Sequence, residues 1–151
     1  MDNSFNKIYV NEDSVDLTLE PHDTENYHEY NITVIQEHGK CPVNICLKPK
    51  KDSLSKLNVR LFTENKASVD CVCKLIVEKD AGGIDTDMQI RSWPFDESRI
   101  QARPEMFVEN SDIKAAHGNA IGTLSEDDRY YLHSKGITNY KDLVKESLYE
   151  E

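Results

Sequence analysis

Val69-Asp70-Cys71-Val72-Cys73-Lys74-Leu75-Ile76-Val77 reads as one extended strand, because apolar side chains recur at every second position. A period of two puts Val69, Cys71, Cys73, Leu75 and Val77 on one face of the backbone. The same alternation runs outward in both directions. Upstream it appears at Val15/Leu17/Leu19, Tyr30/Ile32/Val34, Val43/Ile45/Leu47 and Leu57/Val59/Leu61. Downstream it continues at Met88/Ile90, Ile100/Ala102, Met106/Val108 and Ile113/Ala115/His117. Polar breaks separate the runs, among them His38-Gly39, Asp80-Ala81-Gly82-Gly83 and the lysine-rich stretch from Lys48 to Lys56, the natural place for a long loop or internal boundary. A second polar stretch, His22 to Glu29, is expected to be an exposed loop. Many short strands of this kind make a sandwich, a barrel or a β-solenoid, and spacing alone does not separate the three.

The pattern changes at Ser125. Ser125-Glu126-Asp127-Asp128 offers a capping hydroxyl and three acids for the positive end of a helix. Gly136 supplies a left-handed stop, and Thr138 can cap a second helix. There Tyr140, Leu143, Val144 and Leu148 form one apolar stripe that needs a surface to cover it.

At 151 residues the chain has the length of one domain, and its formal charge of -10 argues against binding a phosphate backbone. No apolar run approaches the roughly 20 residues of a membrane helix, and the polar start lacks a signal-peptide core. The expected setting is cytoplasmic, with neither nucleic acid nor membrane as partner. Cys41, Cys46, Cys71 and Cys73 then read as free thiols, and neither spacing matches the C-x2-C knuckle of structural zinc. Cys71 and Cys73 share a face, so their plainest role is as small apolar side chains in a core. Trp93-Pro94-Phe95 is bulky for a connection, and is either a contact point or a loop anchored by its own aromatics.

Two segments carry a resemblance. Asp112-Ile113-Lys114-Ala115-Ala116-His117-Gly118 and Tyr131-Leu132-His133-Ser134-Lys135-Gly136-Ile137 stand in the order found in the C-terminal core of the SufB/SufD family of iron–sulfur cluster assembly. The preceding Leu75-Ile76-Val77 and Pro104-Glu105-Met106 also fit, so the likeness covers about residues 67 to 148. The His-Gly pair is closer to SufD than to SufB, and Lys135 stands where the family pattern has arginine.

The resemblance implies a mainly β fold: a short right-handed parallel β-helix capped by two C-terminal α-helices. Residues 1–124 would be the β-helical core, with 1–65 divergent and 66–124 family-like, and 125–151 the helical segment. About four to six rungs fit if each takes on the order of 20 residues. It also implies a scaffold or partner subunit rather than an enzyme, pairing as a dimer with itself or a SufB-like homologue and docking a SufC-like ATPase. His117 is the implied cluster or metal ligand, with Cys71 and Cys73 as secondary candidates. Tyr131, Leu132, Lys135, Gly136, Ile137, Tyr140, Leu143 and Val144 are the implied partner-binding residues. No tightly bound cofactor is expected beyond a transient iron–sulfur cluster. Two rivals remain: a SufD-derived interaction module that binds no cluster, and a thiol or metal enzyme built from Cys71, Cys73 and His117.

Overall fold

The computed structural model describes residues 3–22, 27–122 and 126–149. Among them are nine strands: β1 (Asn3–Val10), β2 (Val15–Leu19), β3 (Tyr27–Gln36), β4 (Lys40–Leu47), β5 (Leu54–Thr63), β6 (Ser68–Val77), β7 (Ile84–Pro94), β8 (Arg99–Val108) and β9 (Ile113–Ile121). Two helices follow, α1 (Glu126–Ser134) and α2 (Tyr140–Tyr149). The odd strands form one sheet in the order β1-β3-β5-β7-β9, and the even strands form the other, β2-β4-β6-β8. Every neighbouring pair is parallel. A chain that visits two parallel sheets in turn, advancing one strand position per circuit, is a parallel β-helix. The expected solenoid with two helices after it is therefore what the chain builds.

The rung is longer than expected. Asn3 pairs with His28 and Leu54 with Asp85, so one circuit takes 25 to 31 residues rather than about 20. Each circuit holds two strands and two turns, which is why single alternating runs underestimate it. Ile100/Ala102 and Met106/Val108 are one strand, β8, running straight through Pro104. The lysine-rich stretch is no boundary: Leu54 to Lys56 already belong to β5, and the solenoid continues across the turn before it. The expected loop at His22 to Glu29 does not extend to Glu29. Tyr27 to Glu29 open β3 with His28 buried, and residues 23–26 lie outside those described.

Inward positions stack in columns because the register never slips. Val43, Cys71 and Ala102 align in one sheet, and Tyr30, Leu57, Met88 and His117 in the other. Ile32, Val34, Val43, Leu47, Leu57, Leu61, Cys71 and Cys73 have no measurable exposure. Each large aliphatic side chain so buried contributes roughly 1.5–3 kcal/mol. On the outside, stacked amides bond from rung to rung: Asn31 Nδ2 donates to Asn6 Oδ1 at 2.8 Å, and Asn58 Nδ2 to Asn31 Oδ1 at 2.9 Å. In-register parallel strands about 4.8 Å apart bring such side chains within bonding reach.

The tail obeys its local code. Gly136 has φ +80°, the Gly136 amide donates to the His133 carbonyl at 3.0 Å, and that of Ile137 to Leu132 at 2.8 Å. That is a Schellman stop. The proposed cap Ser125 lies outside the described residues. The second helix is capped one residue later than expected, since the Leu143 amide bonds the Asn139 carbonyl. None of the described helices is long and apolar enough to cross a membrane.

The position of the tail differs from a plug in the solenoid mouth. Val144 and Leu148 are buried against Ile35 and Phe62, which point outward from β3 and β5. Ile8, Trp93, Phe95 and Tyr140 pack around them. Helix α2 thus covers the flank of the first sheet, where two outward apolar residues on consecutive rungs demand a lid.

Candidate functional site

The last rung is half built. β9 adds a fifth strand to the first sheet, while the second sheet stops at its fourth, β8. The place beside β8 and opposite β9 holds no strand of the described chain. Its floor is a cavity of about 460 Å³ bordered by Ser92, Ile100, Ala102, Asn119 and Ile121. Asn119 reaches across it and donates from Nδ2 to the Ala102 carbonyl at 2.9 Å. The buried Ser92 hydroxyl finds no partner among the described residues. The inward side chains that would normally be sealed are open here: Met106 is 36% exposed, Val108 41% and Ile121 66%. An uncovered apolar layer beside two unpaired strand edges is an arrangement that monomeric proteins avoid.

His117 lies on this open rung. Its backbone pairs with Met88, whose side chain is in the core, so the imidazole has inward parity but no rung above it and is exposed. Gly118 continues the strand after it. It sits inside β9 with no positive φ. Its requirement is space: a Cβ there would lie 2.2 Å from Gln89 Oε1 on the rung below. Gly122 follows the same logic, with Trp93 Nε1 at 2.3 Å from a Cβ.

The tail residues divide into two groups. Leu132, Ile137 and Tyr140 line a groove of about 300 Å³ beside Phe95, and Val144 is covered by the chain's own sheet. Tyr131 and Leu143 are exposed at 62% and 45%, as is Tyr130, and Lys135 Nζ stands 5.8 Å from the Tyr131 ring centre. The groove also explains Trp93-Pro94-Phe95: Phe95 is 5.4 Å from Phe62 and 5.9 Å from Tyr140, anchored by its own aromatics.

A family model for the SufBD core domain of the SUF iron–sulfur cluster assembly system matches residues 9–141. The chain belongs to the SufBD family. The matched span begins at residue 9, so the first rungs are included as well as the motifs after residue 67. An iron–sulfur cluster assembly SufBD family protein of Synechocystis is 35% identical over 43 residues, 28% of this chain. That stretch is 10% of the cyanobacterial protein's length.

Within this SufBD core three of the four thiols, those of Cys41, Cys71 and Cys73, are sealed. Cys71 and Cys73 have no exposure, and their sulfurs lie 3.6 Å apart. The contact with Cys73, and then burial, push the Cys71 thiol far up. Burial, with Glu12 and Asp13 nearby, raises Cys41. Cys46 faces outward from β4, half buried. A thiol enzyme needs an accessible sulfur of depressed pKa, which neither Cys71 nor Cys73 offers. Among the described residues no three His, Cys, Asp or Glu side chains converge as a metal group. His117 can offer one nitrogen, and the described residues alone do not fit a complete cluster site.

The feature sequence reasoning missed is the ionic attachment of α2. Lys145 bonds Glu37, and also Glu64 at 2.8 Å, while Lys141 lies 3.2 Å from Asp96 and 3.8 Å from Glu64. Its only sequence signal is the i,i+4 lysine pair, since the three acids sit in separate turns.

Proposed function

We propose that this SufBD core is a non-catalytic assembly subunit whose half-filled last rung is completed by a second SufBD core. The single observation behind this is the missing strand beside β8. A two-fold rotation that exchanges the sheets brings β9 of each protein antiparallel to β8 of the other. Each overhang then fills the other's gap, and the exposed Met106, Val108 and Ile121 become interior. The partner is a second copy or a longer SufB-like homologue. A specific interface of this kind is expected to bury roughly 1,000 Å² or more.

At that junction His117 supplies one ligand to a cluster that is cargo, its other donors coming from the partner. The exposed side of the tail, Tyr131, Lys135 and Leu143, docks a SufC-type ATPase. The test is mass measurement of the purified protein, alone and mixed with a recombinant SufC-type ATPase. A dimer that Ile121→Arg splits, and an ATPase complex that Tyr131→Ala weakens, are the expected results. A monomer with no ATPase binding overturns the proposal.

The sealed thiols favour a narrower version in which the subunit pairs but carries no cluster. Anaerobic reconstitution of the paired protein with iron and sulfide separates the two. Visible absorption that His117→Ala abolishes supports the cargo role, and absorption unchanged by the variant leaves the module.

A further inference from the structure

We propose that α2 is an ionic latch: a strap held across the turns of three rungs by Lys141 and Lys145, able to leave the solenoid while the β-helix stays folded. The geometry begins with the turns that follow the odd strands. Glu37 comes after β3, Glu64 after β5 and Asp96 after β7, so three carboxylates stack on one corner, one per rung. Stacked like charges about 4.8 Å apart repel. Lysines four residues apart on a helix are displaced by about 6 Å along its axis. That offset is close to the rung spacing, so each lysine straddles two neighbouring turns: Lys145 takes Glu37 and Glu64, and Lys141 takes Glu64 and Asp96. Helix α2 therefore runs back along the solenoid axis from the fourth rung toward the first.

Three observations mark the attachment as separable. The helix lies outside the inward columns, and the residues it buries, Ile35 and Phe62, point away from the main core. Only Val144 and Leu148 of the helix are buried, while α1 has no buried residue at all. Both lysines keep partial exposure, 33% for Lys141 and 23% for Lys145, so water and ions reach the clamp. Its release uncovers an apolar strip on the flank of the first sheet. This holds whatever docks on the tail, and does not rest on pairing at the open rung.

Trp93, the chain's only tryptophan, packs against the Ile35–Phe62–Val144–Leu148 cluster and reports on the latch directly. Amide exchange and Trp93 emission should be followed in the whole protein at low salt and at about 1 M sodium chloride, where screening acts within about 3 Å. The expected result is exchange at 140–149 rising about five- to tenfold, with a red-shifted Trp93 and unchanged protection of β3 to β7. The Lys141→Gln/Lys145→Gln protein should show the released state already at low salt, and Glu37→Gln/Glu64→Gln should reproduce it from the solenoid side. Exchange at α2 that ignores both salt and variants overturns the latch. So does exchange that rises in step with β3 to β7, because the helix would then open only with the whole fold.

Discussion

The third rung and the last half-rung are made of the same kind of strand in the same register, yet one is sealed and the other is open. Leu57, Val59, Leu61, Cys71 and Cys73 lie at 0–1% exposure because a rung stacks on each side of them. Ile113, Ala115, His117, Asn119 and Ile121 continue several of those columns with nothing above. Burial in a solenoid is thus a property of the neighbour, not of the strand. Identical alternation predicts an inward face in both places, and only the count of strands in each sheet tells which inward face meets another.

The sharpest break of this comparison is a matched pair of truncations. Leu61→Ala should destabilise the fold by about 2–5 kcal/mol, since its site is close-packed from both sides. Ile121→Ala, at 66% exposure, should cost under about 0.5 kcal/mol in the monomer. Thermal melts read both. Equal losses would mean that the last rung is sealed in solution.

A second pair acts on the outer face. A Cβ at Gly122 meets the rigid Trp93 ring, whereas one at Gly118 meets the far end of the flexible Gln89 side chain. Gly122→Ala should therefore cost about 1–3 kcal/mol and shift the Trp93 emission. Gly118→Ala should cost clearly less and leave the emission alone.

These contrasts also show how far the sequence carries. The alternating runs were legible because every second residue is apolar, and Ile113/Ala115/His117 placed the imidazole on the right face. Strand β1 was not, because Lys7 breaks the inward alternation between Phe5 and Tyr9. Ile100/Ala102 and Met106/Val108 read as separate runs; Pro104 joins them within β8, an edge strand, where a missing amide hydrogen is tolerated. The apolar stripe of α2 was visible, but its destination was not. Glu37, Glu64 and Asp96 are 27 and 32 residues apart, and only the rung length, itself invisible in non-identical columns, brings them together.

The corner clamp gives a smaller, pH-dependent effect. The bond from Lys145, then that from Asn11, holds the Glu37 carboxyl below its ordinary value of 4.5. The Asn65 amide and Lys141 hold Asp96 below 3.8. A depressed carboxyl stabilises the folded form above its unfolded pKa and loses that contribution as pH falls through the folded value. Protection of α2 should therefore be flat from neutrality to about pH 5 and decline below it, ahead of β3 to β7. On the alkaline side, burial opposes charging Lys145, yet Glu37 and Glu64 prevail and raise it above 10.5. Its contribution then persists until pH rises through that raised value. Amide exchange at several pH values checks both limbs, and a decline already at pH 6 would place the titrating group elsewhere.

The smallest effect on folding should accompany the largest effect on assembly. Ile121 faces inward on β9 with no rung above it and is 66% exposed, so Ile121→Asp places a carboxylate in water in the single protein. The monomer's melting temperature should move by no more than about 2 °C, equivalent to under about 0.5 kcal/mol. In the proposed pair the same carboxylate would be driven into an apolar junction without a counter-charge, and burying an unpaired charge costs several kcal/mol. Sedimentation across a concentration series should show the dimer lost while the melt is unchanged. If the variant instead unfolds, the rung is already closed by the chain itself, and the contrast between sealed and open strands disappears.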